Sequence, residues 1–275
     1  MTIAETAQIM AFDRSLPASV VLLFLAASIS GCSFAPPAQF DASSVPNAVP
    51  QPVERSKYGN PDSYVVFGTR YEVLDSSFGY DERGIASWYG PGFDGKRTSS
   101  GEIYDMYKMT AAHKTLPLPT YARVTNLANG KSVVVKINDR GPFHDNRIID
   151  LSYTAAAKLG MLKKGTALVD VKTVSIGAPP SPDQVVESEP APASLPVNPQ
   201  IYVQVGAYAE HQNAQRMEAR LKLGAVGPVL IQPVASNGQQ VYRVRIGPLP
   251  DVDAVDRLTE RLAQLGIDNP QVIIP

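Results

Sequence analysis

Two carboxylates in well-marked settings carry the chemistry this sequence offers. Glu102 sits in Gly101-Glu102-Ile103-Tyr104-Asp105, and Asp139 in Asn138-Asp139-Arg140-Gly141-Pro142-Phe143. Between them runs Ala111-Ala112-His113-Lys114-Thr115-Leu116-Pro117. Positioned acids suit a reaction in which a proton is given and taken at one bond, and glycosidic cleavage is the leading example. Asp139 follows Val133-Val134-Val135-Lys136-Ile137, so a strand delivers it into a Gly-Pro turn, where a rigid element fixes its geometry. An Asp before Gly-Pro equally bonds its own backbone, and Glu102 after Ser99-Ser100-Gly101 equally fits an exposed turn. Spacing alone leaves both readings open. His113 either orients a carboxylate, donates to a substrate hydroxyl, or is structural; His144 and His211 have weaker claims. Trp88, Tyr89, Tyr104, Tyr107 and Phe143 lie near the acids in sequence and offer ring faces for stacking. If Gly84–Tyr89 is a strand, Trp88 and Tyr89 point to opposite faces, and one of them lines a groove. The 3 His and 1 Cys are scattered, without the spacing of a metal site, and no G-x-S-x-G is present. No metal or cofactor is expected.

The elements that must position these residues read mostly as β. Tyr64–Phe67 and Arg70–Leu74 flank Gly68-Thr69 as a hairpin. Short strands follow at Gly84–Tyr89, Tyr121–Thr125 and Ser132–Ile137, with Asn129-Gly130 as a tight turn between the last two. Ser152 is placed to cap a helix through Ala155-Ala156-Ala157 that Gly160 ends. Val169–Ser175 would close the domain. Residues 200–275 hold an internal repeat at a shift of 41. It maps Val203 onto Val244, Gly206 onto Gly247, Arg216 onto Arg257 and Leu221 onto Leu262. Each half is strand, turn and helix, which predicts βαββαβ with a four-stranded antiparallel sheet and two helices on one face.

Two Pro-rich stretches, about 33–62 and 177–199, mark boundaries and favour extended chain over packed core. Before the first, Val20–Ala27 is an apolar run too short to span a bilayer unaided, followed by Ile29-Ser30-Gly31-Cys32. This reads as a signal segment, residues 1–31, ending at a run that looks like a bacterial lipobox, with Cys32 the lipid-modified first mature residue; a membrane anchor left uncleaved, with Cys32 incidental, is the other reading. Ser33 after it fits sorting to the outer membrane. The n-region is poor in basic residues, and Met10 is a second candidate start. Lipidation consumes the one cysteine, so no disulfide supports the fold. The chain is nearly neutral, at -1. Yet Arg83–Lys172 holds 14 Lys and Arg against 7 Asp and Glu, a segregation that attracts an acidic polymer if it is more than an ordinary solvated surface.

Five motifs in order resemble the rare lipoprotein A family of septal, peptidoglycan-cleaving lytic transglycosylases: Gly84-Ile85-Ala86-Ser87-Trp88-Tyr89-Gly90, Gly101–Asp105, Ala111–Pro117, Asn138–Phe143 and Arg147-Ile148-Ile149-Asp150-Leu151-Ser152. Tyr202–Tyr208 and Tyr242–Leu249 resemble the SPOR family, whose domains bind glycan strands stripped of stem peptides. The resemblance implies a mainly β plus α+β chain: a six-stranded double-psi β-barrel over 63–176, then a ferredoxin-like βαββαβ SPOR domain over 200–275, with 32–62 as tether. It implies an endolytic lyase that cleaves the MurNAc–GlcNAc bond with 1,6-anhydroMurNAc formation. Asp139 would be acid/base, Glu102 its assistant and His113 a support. Trp88, Tyr89, Arg140 and Phe143 would meet substrate. Gln204, Tyr208 and Arg243 would meet glycan on the SPOR sheet. Its partner is denuded peptidoglycan, its place the envelope, lipid-anchored at the division septum, with septal proteins as further possible partners. Nucleic acid is excluded by that location. A non-catalytic septal wall-binding lipoprotein and a hydrolase giving reducing ends are the competing readings.

Overall fold

Val133, Val135 and Ile137 alternate with Val134 and Lys136 in the strand over Ser132–Asp139, and the first set is buried. That period of two, repeated along neighbouring strands, wraps a barrel around one apolar interior. A computed structural model describes residues 40–144, 146–174, 199–236 and 238–275. The signal segment with Cys32, the opening of the first Pro-rich stretch and nearly all of the second lie outside the described residues.

The strands are β1 (Ser63–Val66), β2 (Thr69–Glu72), β3 (Asp81–Trp88), β4 (Thr110–His113), β5 (Thr120–Asn126), β6 (Ser132–Asp139) and β7 (Arg147–Leu151). Helix α1 (Tyr153–Lys158) and β8 (Ala167–Thr173) complete the first domain. Six strands close in the order β3-β7-β4-β6-β5-β8. The β3–β7 and β4–β6 pairs are parallel and the rest antiparallel. This is the double-psi β-barrel. Ala86, Ala111, Val124, Val135, Ile137, Ile149, Leu151, Val169 and Val171 fill it. Burying each of the larger of these side chains contributes about 1.5–3 kcal/mol. Ser152 caps α1 by accepting from the Ala155 N–H at 3.2 Å. The hairpin β1–β2 forms with its turn at Phe67-Gly68, one residue earlier than the sequence predicts, and it pairs with itself and stands outside the closed barrel.

The first Pro-rich stretch differs from a free tether over its second half. The Ala48 N–H donates to the Val134 carbonyl at 3.0 Å and the Ser56 N–H to Leu118 at 2.8 Å. Val45 and Ala48 pack against the barrel core. Proline content sets local stiffness; it leaves side chains and the remaining N–H groups free to bind a neighbouring surface.

The C-terminal domain runs β9 (Ile201–Tyr208), α2 (His211–Leu223), β10 (Val229–Ser236), β11 (Gln239–Leu249), α3 (Val252–Gln264) and β12 (Gln271–Ile273). Its antiparallel sheet has the order β10-β11-β9-β12. Val255, Leu258 and Leu262 make one stripe of α3, and Ala214 and Leu221 one side of α2. All pack on Ile201, Val203, Val244 and Ile246, so both helices cover one sheet face. The repeat is thereby explained: β9 and β11 are its equivalent strands and lie side by side.

Candidate active site

The loop Arg97–Gly101 and the end of β6 meet at Asp139. Its Oδ1 accepts from the Ser99 N–H and the Ser99 Oγ, both at 2.7 Å, and from the Arg140 N–H at 2.8 Å. Oδ2 receives one longer bond, from the Tyr89 hydroxyl at 3.3 Å. One oxygen is thus pinned and the other lightly held. The turn bond to its own backbone is present, together with two bonds from a remote loop, so the carboxylate is fixed by more than local turn chemistry. Gly101 (φ 93) and Gly141 (φ 134) bend the two loops at positive φ, which L side chains rarely adopt. A cavity of about 360 Å³ lined by Tyr58, Arg97, Thr98, Ser99 and Gly101 opens beside Ser99.

Glu102 is held by Lys136 and by Asn138, the residue before Asp139 on β6. Its Oε2 accepts from Asn138 Nδ2 at 2.9 Å and its Oε1 from Lys136 Nζ at 2.6 Å. Burial works to raise its pKa. The Lys136 and Asn138 bonds and the Lys136 and Lys108 charges outweigh that and hold it below the usual range. Glu102 is therefore an ionised group, suited to stabilising positive charge and not to donating a proton.

His113 is brought to the site's underside and not to its opening. It is 3% exposed. Nδ1 accepts from the backbone N–H groups of Thr115 and Leu116 at 3.2 and 3.0 Å, which places the proton on Nε2. Nε2 donates to the Tyr80 hydroxyl at 2.8 Å, which donates to Glu82 at 2.5 Å. Burial, then the Arg140 and Lys114 charges, pushes its pKa down to about 3. Both ring nitrogens are committed to the scaffold.

Arg140 is likewise turned inward. Nε donates to the Gly59 carbonyl at 2.8 Å, and Nη1 to the carbonyls of His113 at 3.2 Å, Lys114 at 3.4 Å and Leu116 at 2.5 Å. Nη2 donates to Asn60 Oδ1 at 3.2 Å. Of the adjacent aromatics, Tyr89 takes the site: its ring lies 4.9 Å from that of Tyr104 and 5.6 Å from that of Phe93. Trp88 turns to the core side against Tyr153 at 5.8 Å. Phe143 packs on Tyr71 at 5.7 Å and Tyr64 at 6.1 Å, near the hairpin.

Residues that the motifs alone did not single out complete the arrangement. Ser99 supplies two of the bonds to Asp139, and Asn138 and Lys136 hold Glu102. Asp150 on β7 accepts from the Ser87 hydroxyl. Its signal in the sequence is a carboxylate set in an apolar run, Ile148-Ile149-Asp150-Leu151. Burial raises its pKa against the Ser87 bond and the Arg147, His144 and Lys114 charges. Among the described residues no cluster of His, Cys, Asp and Glu could hold a metal ion, and no helix is long and apolar enough to cross a membrane.

On the C-terminal sheet, Gln204 and Arg243 lie on the face away from the helices, since Val203 and Val244 beside them are buried beneath α2 and α3. Gln204 registers with Arg245, not Arg243, and Arg245 Nε donates to Gln204 Oε1 at 3.2 Å. Arg245 Nη1 donates to Gln232 Oε1 at 2.9 Å. Tyr208 falls on the other side: it registers with Tyr242 and packs against the helix-covered core. An irregularity in the β9–β11 register between Val244 and Arg245 changes the alternation after Gln204 and puts Tyr208 there.

The comparisons agree with this architecture. Residues 81–171 match the family model described as lytic transglycolase, and 198–274 the model described as SPOR domain. A protein of Pseudomonas aeruginosa (strain UCBPP-PA14) named endolytic peptidoglycan transglycosylase RlpA is 38% identical over 283 residues, covering 86% of this chain and 82% of that protein. A Vibrio cholerae protein of the same name is 39% identical over 235 residues, covering 86% of this chain and 84% of its own length. One from Neisseria meningitidis (serogroup A) is 46% identical over 153 residues, 56% of this chain and 59% of that protein. With a double-psi barrel and a SPOR domain in one chain and relatives matched over most of its length, this chain belongs to the RlpA family.

Proposed function

We propose that this protein is an envelope lytic transglycosylase that cuts the MurNAc–GlcNAc β-1,4 bond of peptide-denuded strands at the division septum. The observation that carries the reading is the Asp139 carboxylate, with Oδ1 fixed by three donors and Oδ2 lightly held by Tyr89, while Ser99, which holds Oδ1, lines a cavity. Cleavage without water requires a proton on the leaving O4 of GlcNAc and removal of one from the MurNAc C6 hydroxyl, whose oxygen attacks C1. Asp139 serves these transfers. Glu102, ionised through Lys136 and Asn138, faces the positive charge that develops at C1. Tyr89 aligns Asp139. His113 and Arg140 support the loops, and the basic character of Arg83–Lys172 favours an acidic polymer.

The SPOR domain holds denuded glycan on the sheet face of Gln204 and Arg243, with Arg245 and Gln232 as neighbours. Cys32, the residue after Gly31 in the lipobox-like run, carries the lipid. Two or more acyl chains anchor stably, at about 0.8 kcal/mol per buried methylene, and Ser33 after it fits the outer membrane.

Purified protein given denuded or peptide-bearing glycan, with products read by mass spectrometry, tests the reading. Anhydro-ended fragments from denuded strands are expected, each lighter by one water than a hydrolytic product. Reducing ends would make the protein a hydrolase, and no cleavage would make it a wall-binding protein. Asp139→Asn, isosteric and turn-compatible, should abolish cleavage; residual activity above about a tenth of wild type would remove Asp139 from the proton transfers. Cys32→Ala should leave the outer-membrane fraction, checked by detergent phase partitioning.

A further inference from the structure

A cavity of about 770 Å³ has walls from both domains: Lys114, Ile148 and Lys172 on the barrel side, Gln271 and Ile273 of β12 on the other. Its size and its place at a domain boundary are those of a ligand site. The barrel wall leads toward Asp139. His113 of β4 pairs with Ile149 of β7, so Lys114, the next residue, lies beside Ile148. The Lys114 carbonyl accepts from Arg140 Nη1 at 3.4 Å, and Arg140 follows Asp139 in the turn. Lys114 Nζ sits over the Tyr71 ring, 5.9 Å from its centre. The Lys114 charge also reaches Asp150, two residues from Ile148 on β7, and Asp150 in turn acts on the Tyr89 phenol that donates to Asp139. Cavity and acid are thus joined through the Lys114 segment.

The other wall leads to the C-terminal sheet. Gln271 registers with Gln204, and Gln204 with Arg245. Residues directly opposite in an antiparallel pair project to one face, so Gln271 shares the face of Gln204, away from α2 and α3. Val272 and Val203 pair on the helix-covered side. Gln271 is exposed, and β12 is an edge strand of its sheet. The row Gln271, Gln204 and Arg245 therefore runs from the cavity across the sheet, with Arg245 Nε donating to Gln204 Oε1 at 3.2 Å. Between the two walls the charges are already arranged. Lys172 lies 3.2 Å from Asp170 and 3.4 Å from Asp81. Such pairs offer donors and acceptors to sugar hydroxyls with less left to order on binding.

Resting on the transglycosylase reading, we propose that one denuded glycan strand runs from the sheet face of Gln204 through the interdomain cavity to Asp139, with Gln271 and Lys114 as its contacts on the way. Removing a stem peptide leaves a free lactyl carboxylate on MurNAc. The Lys114 ammonium pairs with that carboxylate, a charge-assisted contact; a stem-bearing strand offers an uncharged amide at the same place. Gln271 supplies both a donor and an acceptor to hydroxyls. The bidentate pair between Arg147 and Asp256 holds the two walls at their spacing. The docked C-terminal domain is then a part of the cleaving groove and not a tether alone.

The test uses the full chain carrying Asp139→Asn, so that strands stay whole, and fluorescent denuded glycans of graded length, with binding read by anisotropy. Affinity should rise until a strand spans the sheet face, the cavity and the Asp139 site. Adding Lys114→Gln should weaken long strands about tenfold, the loss of one charge-assisted bond, and leave short strands unchanged. Lys114→Arg, which keeps the charge, should hold the long-strand affinity. Converting the lactyl carboxylates to methylamides should weaken long strands by the same factor in the parent and no further in Lys114→Gln. Gln271→Ala should weaken long strands from the opposite wall, and it reports even if Lys114→Gln fails to fold. Long-strand affinity unchanged in Lys114→Gln or in Gln271→Ala, an equal loss for short and long strands in Lys114→Gln, or additive losses from methylamide and Lys114→Gln would each overturn the proposal. Unaltered protein that binds with this length dependence and forms no anhydro product would overturn the transglycosylase reading and leave the strand path standing.

Discussion

His113 shows at the residue scale why type and motif do not settle a role. A histidine inside a motif beside two acids reads as a chemical group, and its burial at 3% with both nitrogens bonded could not be read from spacing. The consequence is a pH dependence of stability. The folded pKa is pushed down to about 3 by burial, while an unfolded histidine titrates near 6.5. Between those values the unfolded chain binds the proton and the native one does not, so the contribution is complete above about pH 6.5 and declines as pH falls toward about 3. Urea midpoints measured from pH 7 to pH 4 should fall, and His113→Gln should flatten part of that slope. Equal slopes in both proteins would show that other groups carry the acid sensitivity. Arg140 repeats the lesson, since its place in the Asp139 motif suggests a substrate contact while its guanidinium is spent on four backbone carbonyls and Asn60.

At the scale of elements, the strands with clear alternation and the helix with a Ser cap were legible, because period and capping are local. Strands β4 and β7 fall within the motifs but carry no strand signal of their own. Each has only four or five residues, and β4 is buried throughout, so neither supplies a long alternating pattern. The row that sets Asp139 opposite Ala112 depends on a register shift between non-sequential strands, which no local pattern encodes. The packing of residues 45–60 on the barrel was also illegible, because proline content speaks to stiffness and not to docking. Asn60 concentrates that contact. Its Nδ2 donates to the Ser56 and Leu118 carbonyls at 3.0 and 2.8 Å, and its Oδ1 accepts from the Leu118 N–H at 2.8 Å and from Arg140. One amide thus joins the strap, the β4–β5 connection and the turn after Asp139. Asn60→Ala leaves partly buried partners unsatisfied, which costs about 1–3 kcal/mol. The urea midpoint should drop with an unchanged m value, and cleavage should fall with it as the Asp139 turn loosens. An unchanged midpoint would mean that water replaces the amide and the strap is dispensable.

At the scale of the whole molecule, the second Pro-rich stretch marks a boundary between two domains, and the structure docks them against each other. Ile85 lies on the barrel wall, is fully buried, and joins the core cluster of the C-terminal domain, with Leu168 packed beside it. An apolar residue on an outer barrel face needs cover, and the SPOR domain supplies it. Around this patch Arg147 Nη1 and Nη2 donate to the two oxygens of Asp256 on α3 at 3.0 and 2.6 Å. Asn146 Nδ2 donates to Thr259 Oγ1 at 2.7 Å, and Arg83 Nη1 to the Pro275 carbonyl at 2.5 Å. A cavity of about 770 Å³ remains between the domains, lined by Arg83, Lys172, Gln271 and Ile273 among others. The Arg147 side chain is 7% exposed and that of Asp256 30%. Removing the carboxylate therefore strands a nearly buried guanidinium, whereas the exposed side of the pair is weakened by solvent. A fully buried pair broken this way costs about 3–5 kcal/mol, and about 1–3 kcal/mol fits the partial exposure here. Asp256→Ala should therefore loosen the docking without unfolding either domain, since each has its own apolar core. Calorimetry should show one transition in the wild-type protein and two in the variant, and small-angle scattering should give the variant a larger radius of gyration. Identical scattering and a single transition in both would show that the apolar contact at Ile85 holds the domains together without the ion pair.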